Sequence, residues 1–290
     1  MKTVDLGILI VTFHSEKIIE NLLNNLKNFN VIVIENSNNE KFKSYLESKF
    51  SNVKCILPGS NLGYGAALNI GFNKFKFKNY LILNPDIEIS NQKVLEIYNK
   101  AESSKNISVV APSTVNKKGE IYVRHGFFKF KKKKSSEFND LIKAHYVNGH
   151  AFLIKASVIE DVGNFDENFF MNFEEYDLFF RIYKKNYNIY VMKNCFVKHF
   201  DGKSSDLKYY PETSITSKWH YSWGFYYFFK KNYGKIIAIF LSFFHMFSCL
   251  IKLIYFFIKK ENHKKNLMVY SLKGLLESVK NKKSYYRPKI

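Results

Sequence analysis

Cysteine is scarce in this 290-residue sequence, with only Cys55, Cys195 and Cys249, far apart along the chain. Such spacing excludes both a cysteine zinc site and a disulfide framework. The apolar run at residues 7–13 is shorter than the hydrophobic segment of a signal peptide, and no cleavage pattern follows it. We therefore expect a chain that folds in a reducing cytoplasm.

Acidic residues are also few, with 25 Asp and Glu against 45 Lys and Arg, a formal charge of +20. The excess is concentrated in the last 90 residues, where 17 basic residues face 5 acidic ones. Such a balance suits nucleic acid or an anionic membrane leaflet. No helix-turn-helix, RNP-like or zinc-finger pattern appears, so we expect no nucleic-acid partner. A non-catalytic basic protein that binds membrane or nucleic acid stays as an alternative.

Strand and helix patterns alternate over the first 115 residues. Short apolar, β-branched runs predict strands at 6–13, 31–37, 53–58, 79–84 and 107–113. Helical patterns lie between them at 15–29, 40–49, 64–75 and 91–104. Ser15 is the expected N-cap of the first helix. This alternation predicts an α/β fold, a mostly parallel sheet flanked by helices, with ligands beyond the carboxyl ends of the strands.

The second half of the chain is less regular. Residues 117–126 suggest a hairpin, and a strand runs into a short helix within 145–163. Two short strands are predicted at 187–192 and 195–200, and helices follow Tyr209 to the end. We expect two domains, an α/β domain over 1–208 and a basic, aromatic helical region over 209–290.

The apolar segment 236–258 is long enough to cross a bilayer. Ser242, His245, Ser248 and Lys252 nevertheless form a polar stripe on one side, which favours a helix lying in the membrane interface. A helix that packs on the rest of the protein or on a second copy is the alternative.

A carboxylate is displayed where a predicted strand stops at Asn84-Pro85-Asp86. Pro85 cannot donate to a sheet ladder, so the strand ends there and presents Asp86. His199 ends a second strand-like segment. Asp and His form a partial shell for a hard divalent cation, with positions left for phosphate oxygens. The simpler interpretation of Asp86 is a turn or helix-cap residue.

A nucleotide has two further candidate contacts. Glu35 ends the second strand, where it could accept a hydrogen bond from a base N–H. The turn "NLGYGAALN" at 61–69 brings glycine into a helix start, which suits close backbone approach. Neither a P-loop lysine nor a Rossmann glycine pattern is present.

Three acids, Glu174, Glu175 and Asp177, open a predicted helix within "FFMNFEEYDLFFR". Asn172 and Glu175 have the spacing of a capping box, and acids in a first turn suit the helix dipole. Apolar neighbours would instead raise a carboxyl pKa toward that of a general base. These residues leave both roles open for Glu175.

Taken in order, these segments resemble family 2 glycosyltransferases of the GT-A fold, and most closely the rhamnosyltransferase-like branch of bacterial polysaccharide synthesis. The resemblance covers residues 6 to about 205. It is carried by "VTFHS", "VIVIENS", "NLGYGAALN", "YLILNPD", "GHAFLIKASVIEDVGNFDENFFMNFEEYDL" and "VKHFDGKS".

The resemblance implies a role for each matching residue. Asp86 and His199 would hold Mg²⁺ or Mn²⁺, and Glu175 would be the catalytic base. Glu35 and Glu175 are each one methylene longer than the aspartate usual in the family, and His150 stands where alanine is common. The implied nucleotide-binding residues are Thr12, Glu35, Asn61, Gly63, Asn69 and Asn84. The implied acceptor-side residues are Gly149, His150, Glu174 and Asp177.

The implied activity is inverting transfer of a sugar, with dTDP-L-rhamnose as the favoured donor and UDP-hexoses as the alternative. The acceptor would be a polyprenyl-diphosphate-linked or other glycan of O-antigen or capsule synthesis. The enzyme would lie on the inner face of the bacterial cytoplasmic membrane, with a homodimer as a further possibility. A sugar-nucleotide pyrophosphorylase is disfavoured, because no Gly-rich basic loop follows the first strand.

Overall fold

The computed structural model describes residues 4–115, 121–122, 140–200 and 206–288. The chain divides into two compact units. The first comprises Met1–Phe165 and Leu178–Asp206, and the second comprises Asp166–Asp177 and Leu207–Ile290. Of the predicted hairpin at 117–126, only the short strand Ile121–Tyr122 lies within the described residues.

The first unit contains ten strands among its described residues and most of the shorter helices. The strands are β1 Leu6–Thr12, β2 Asn30–Glu35, β3 Val53–Ile56, β4 Asn79–Leu83, β5 Ile87–Glu88, β6 Val109–Val115, β7 Ile121–Tyr122, β8 Leu141–Ala144, β9 Ala151–Lys155 and β10 Ile189–His199. The helices are α1 Ile19–Asn25, α2 Glu40–Lys49, α3 Tyr64–Lys74, α4 Asn91–Glu102 and α5 Ala156–Val162. A sixth helix, α6 Glu174–Lys184, contains the boundary between the two units.

All ten strands belong to one sheet, ordered β3-β2-β1-β4-β9-β6-β10-β5, with β7 on β6 and β8 on β10. The first four are mutually parallel, as predicted for strands joined by helical crossovers. β9 then enters antiparallel between β4 and β6. The parallel half therefore holds the carboxyl ends of β1, β2 and β4 at one edge of the sheet.

Apolar side chains from both faces of the sheet form the core. Leu81, Ile82 and Leu83 of β4 are fully buried, as expected for a strand covered by helices on both faces. Such a continuous apolar run makes the polar residues that follow it conspicuous.

Two local predictions are corrected. The first helix begins at Ile19, four residues after Ser15, whose hydroxyl instead accepts from the backbone N–H of Phe13. The two short strands predicted at 187–192 and 195–200 form the single strand β10, with a register shift between Met192 and Phe196. A bulge lets one strand continue through a stretch whose apolar alternation breaks.

The second unit is built on three helices, α7 Tyr210–Tyr233, α8 Lys235–Ile258 and α9 Asn262–Val279. A single 3₁₀ turn, Leu207–Tyr209, precedes α7. Gly274 lets α9 approach α7 closely, because a Cβ there would lie 2.1 Å from the carbonyl oxygen of Trp219. Among the described helices, α8 is long and apolar enough to cross a membrane.

Part of the predicted polar stripe of α8 faces its neighbouring helices, whereas Lys252 of that stripe is exposed. His245 and Ser271 each hydrogen-bond to the hydroxyl of Ser222, at 2.8 and 2.5 Å. Ser242 and Cys249 are buried on the same side of α8. The alternative interpretation, a helix packed on the protein by its polar side, therefore describes this face.

Candidate active site

Asp86 and His199 meet at the end of β4. The residue after Asp86, Ile87, opens β5 and pairs with His199 across the antiparallel β5–β10 ladder. Nε2 of His199 consequently lies 3.3 Å from Oδ1 of Asp86. The Asp86 side chain is fully buried, yet neither carboxylate oxygen receives a hydrogen bond within the described residues. A buried carboxylate with open lone pairs calls for a positively charged partner.

His150 holds both sides of this pair. Its ring stacks on His199, with centroids 4.3 Å apart and planes 17° apart. Its Nε2 is 2.7 Å from the hydroxyl of Thr114 on β6. Its carbonyl accepts the backbone N–H of Asn84 at 2.8 Å, which fixes the turn that carries Asp86.

Asp86 and His199 fit a divalent cation whose other donors come from a bound molecule and from water. One carboxylate and one imidazole are hard and borderline donors suited to Mg²⁺ or Mn²⁺, which complete their shells with phosphate oxygens and water. No group of three or more His, Cys, Asp or Glu side chains forms a metal cluster in the described part of the chain. Asp86 also lines a cleft of about 640 Å³ together with Lys17, Asn21 and Phe200. That volume is in the range of small-molecule sites.

Thr12 and Glu35 lie side by side at the carboxyl ends of β1 and β2, paired in the parallel ladder. The Thr12 hydroxyl donates to Oε2 of Glu35 at 2.5 Å, and both side chains are buried. The backbone N–H of Ser37 donates to Oε1 at 2.7 Å, and its hydroxyl bonds the same oxygen. A base N–H would therefore share an oxygen that already accepts from Thr12 or Ser37.

The turn before α3 is fixed from two sides. Oδ1 of Asn61 accepts the N–H of Gly63 at 3.1 Å, and the carbonyl of Gly63 accepts the side-chain amide of Asn36 at the same distance. Gly63 has a φ of 87°, a conformation that glycine adopts without strain. Asn36 is buried at the end of β2, so this turn lies beside Thr12 and Glu35.

Two predicted contact residues have structural partners. The buried side chain of Asn69 donates to the carbonyl of Phe165 and accepts its N–H, both at 3.0 Å. These two bonds connect α3 to the chain after α5, and a contact of Asn69 with a nucleotide stays a prediction. Gly149 is buried, and its carbonyl accepts the hydroxyl of Tyr64 at 2.7 Å.

The acidic motif belongs to the second unit and begins helix α6. Asn172 and Phe173 have left-handed φ values of 62° and 67°, and the Asn172 amide donates to Ser217. The capping-box hypothesis is therefore wrong, since an N-cap has extended backbone at the position before the helix. Burial raises the pKa of Glu174 well above its ordinary value, and the charge of Glu175 adds to the shift. Glu175 is half-buried.

Asp177 lies in a buried ion cluster within the second unit. Nζ of Lys231 is 2.8 Å from Oδ1 of Asp177 and 2.7 Å from Oδ2 of Asp166. Tyr227 also donates to Asp166, at 3.2 Å, and its pKa rises to about 12 because of burial and the Asp166 charge. The cluster ties the start of α6 to α7.

Sequence reasoning missed several residues around these sites. Lys231, Tyr227 and Asp166 carry no local pattern that marks an ion cluster. Ser37 stood in the quoted "VIVIENS" segment, and its position two residues after Glu35 could have indicated a hydrogen bond. Lys17, in the turn after β1, could have been noted as a cation near the sheet edge.

Comparisons with known proteins agree with this geometry. A family model for "Glycosyl transferase family 2" matches residues 8–163. The chain is 27% identical over 201 residues to the low-salt glycan biosynthesis hexosyltransferase Agl10 of Haloferax volcanii, and the match covers 64% of each protein. The chain thus spans less than two thirds of that relative.

Solved structures show the same fold. The mannosyltransferase PcManGT from Pyrobaculum calidifontis, in complex with GDP-Man and Mn²⁺, has a TM-score of 0.59 at 10% identity over 96% of this chain and 88% of that chain. GalNAc-T7 with UDP, GalNAc and Mn²⁺ has a TM-score of 0.55 at 14% identity over 67% of this chain and 43% of that chain. The predicted GT-A fold is confirmed, and because the family model covers more than half of its length, the chain belongs to glycosyl transferase family 2.

Proposed function

We propose that the chain is an inverting glycosyltransferase that uses a nucleoside-diphosphate sugar with Mg²⁺ or Mn²⁺. The observation that carries the proposal is the buried Asp86 carboxylate, open on both oxygens among the described residues and 3.3 Å from His199. Family membership and the cleft beside Asp86 support it. The named relatives that bind GDP-Man or UDP with Mn²⁺ are consistent with it.

Each residue has a defined part in this proposal. Asp86 and His199 would hold the cation, which supplies positive charge to the departing nucleoside diphosphate. Lys17, which lines the same cleft, would pair with a phosphate. Thr12, Glu35 and the turn at Asn61–Gly63 would position the nucleoside. Asn84 would contact the same ligand on its sugar-diphosphate side.

Glu175 is the proposed general base. It would take the proton from an acceptor hydroxyl as that oxygen attacks the anomeric carbon, and a single displacement inverts the configuration. Burial raises the pKa of the neighbouring Glu174, which favours the neutral form of that side chain. The negative charge beside Glu175 is thereby limited. Lys231 holds Asp177 near the start of the same helix. Gly149 and His150 remain acceptor-side proposals.

The finer assignments are proposals as well. We favour dTDP-L-rhamnose as the donor, with UDP-hexoses as the alternative, and a polyprenyl-diphosphate-linked glycan of cell-surface polysaccharide as the acceptor. The curated relative is named for glycan biosynthesis, which agrees with such an acceptor. The basic helical region over 209–290 would keep the enzyme at the cytoplasmic membrane surface, and homodimer formation stays a proposal.

Calorimetric titration of UDP, dTDP and GDP, with and without Mn²⁺, tests the proposal on wild type and Asp86→Asn. Asparagine keeps the shape of the side chain and removes the charge, so the folded apo protein should persist. We expect one nucleotide class to bind wild type only with Mn²⁺, and the Asp86→Asn variant to bind at least about tenfold more weakly.

The matched control is Glu160→Gln, an exposed carboxylate on α5 that does not line the cleft. It removes one negative charge from the first unit but leaves the Asp86–His199 pair intact, and should bind as wild type does. Metal-independent binding, equal loss in both variants, or no binding to folded wild type would contradict the proposal. Transfer assays with dTDP-L-rhamnose and UDP-hexoses then decide the donor.

A further inference from the structure

The outward face of α8 is apolar along its whole length. Thirteen of its 24 residues are large apolar side chains with exposures between 40% and 85%. The most exposed include Ile236 at 85%, Phe257 at 69% and Ile258 at 70%. A water-soluble helix normally presents polar side chains on this side, and apolar patches of this extent mark an interaction surface.

The inward face of the same helix mixes polar side chains with apolar ones, whereas a soluble amphipathic helix turns its apolar side inward and its polar side outward. His245 bonds Ser222 of α7, whose hydroxyl also bonds Ser271 of α9. Burial lowers the pKa of His245, and the charges of Lys252 and Lys218 lower it further. His245 is thus already hydrogen-bonded within the second unit, and the apolar face is left for another medium.

Charge indicates which medium covers the apolar face. Lys235 begins α8, and Lys259 and Lys260 follow its end, all three exposed. Cations at both ends of an apolar face match the phosphates of anionic lipids, which attract each of them. A second copy fits poorly, because apposed α8 helices would bring these lysines together in either direction.

Neighbouring helices argue against a membrane span. The Ser222–His245–Ser271 contacts place the middle of α8 beside α7 and α9. Lys218, Lys252 and Lys273 are exposed around this middle level. If α8 crossed the bilayer, these charges would enter the hydrocarbon, which strongly disfavours an ammonium group. A helix in the interface leaves them in contact with water and headgroups.

We propose that α8 docks on an anionic bilayer surface with its axis in the membrane plane and its outward apolar face in the acyl boundary. This deepens the proposed function by naming the surface at which a lipid-linked acceptor would be met, and it rests on that function for its purpose. The docking itself needs neither donor nor metal, so the two can fail separately.

Flotation of the purified full chain with lipid vesicles tests docking. We expect wild type to bind phosphatidylcholine vesicles containing about a third phosphatidylglycerol, and to bind neutral vesicles more weakly. Phe240→Ser/Phe243→Ser/Phe247→Ser should reduce binding at least about tenfold, whereas Tyr45→Ser/Tyr183→Ser, equally simple changes at exposed aromatics of the first unit, should not. Lys259→Glu/Lys260→Glu should remove the anionic preference, and Lys41→Glu/Lys54→Glu should leave it intact.

Depth measurement decides between lying and spanning. Phe240→Cys and Ile254→Cys, about 21 Å apart along the helix, would each carry an environment-sensitive fluorophore, since the native cysteines are buried. Quenching by lipids brominated at defined depths should place both at the same shallow depth.

Depths that differ by most of that separation would overturn the proposal in favour of a span. Two other results would overturn it as well. One is that neither Phe240→Ser/Phe243→Ser/Phe247→Ser nor Lys259→Glu/Lys260→Glu weakens binding to the vesicles. The other is a dimer that wild type forms without lipid and that the Phe240→Ser/Phe243→Ser/Phe247→Ser protein fails to form. Nucleotide titration of the same variants should match wild type. Circular dichroism confirms that each variant is folded.

Discussion

Replacing Lys231 with methionine keeps much of the length of the side chain and removes the charge between two carboxylates. Asp177 is fully buried and Asp166 is 13% exposed, and they lie 2.8 and 2.7 Å from Nζ. Breaking a buried pair costs about 3–5 kcal/mol, because the remaining charge loses its partner. The Lys231 side chain is 32% exposed, so water screens part of this interaction. We therefore expect a loss of about 2–4 kcal/mol in the free energy of unfolding.

The pH dependence carries a sign that the structure fixes. Burial acts to raise the pKa of Asp166, but hydrogen bonds from Lys231 and the Asn168 backbone outweigh it and hold that pKa below its ordinary value of 3.8. A lowered folded-state pKa gives stability that is present above 3.8 and is lost as the pH falls through the folded value. The difference in the free energy of unfolding between wild type and Lys231→Met should therefore become smaller below about pH 4.

Urea denaturation from pH 3 to 7 measures both effects. The matched control is Lys230→Met, whose ammonium bonds only the exposed side-chain oxygen of Asn281 among its described hydrogen bonds. That variant should lose no more than about 1 kcal/mol. If Lys231→Met costs no more than Lys230→Met at pH 7, or if their difference does not change with acid, the ion cluster does not stabilise the second unit as argued.

Two further outcomes follow from the sites. His150→Ala removes the ring stacked on His199 and should weaken Mn²⁺ binding in the presence of nucleotide about 10–100-fold, measured by the free Mn²⁺ resonance signal. His145→Ala removes a histidine ring that packs at a tilt against Tyr183 elsewhere in the first unit and should not weaken it, and equal affinities for the two variants would refute the role. Glu174→Gln should be more stable than wild type, by a margin that grows as the pH rises above 4.5, since a raised carboxyl pKa costs stability there. A margin that stays constant between pH 4 and 8 would contradict it.

Much of the parallel half of the fold could be predicted from local pattern. Each strand there is an apolar run bounded by polar residues, and each is followed by a helical pattern. Strands β1 to β4 and their alternation with helices could therefore be predicted from the sequence. The position of β9 in the sheet could not be predicted in this way, because the apolar pattern of a strand does not depend on which strands it pairs with. Its antiparallel entry between β4 and β6 depends on contacts far apart in sequence.

The same distinction separates the residues of the site. Pro85 marks the end of β4 within three letters, so the position of the Asp86 carboxylate directly after the strand could be predicted. The Lys231 cluster joins residues 54 and 65 positions apart, from the start of α6 and the segment before it to the end of α7. Neither partner has a local signature, and a lysine near a helix end is ordinarily explained by the helix dipole alone. Only the fold brings that charge to Asp177.

Helix α8 shows the limit of periodicity most directly. Spacings of three and four place Ser242, His245, Ser248 and Lys252 on one face. In the structure Ser242 and His245 face the neighbouring helices, whereas Lys252 is exposed. Periodicity gives the existence of two faces but not the medium that each one meets. Water is the default assumption for the polar face, and here Ser222 and Ser271 take its place. Because His245 and Cys249 have their partners within the protein, the polar side of α8 needs no water. The hydrophobic effect then acts on the outward apolar face, which favours a medium other than water over a surface of this length.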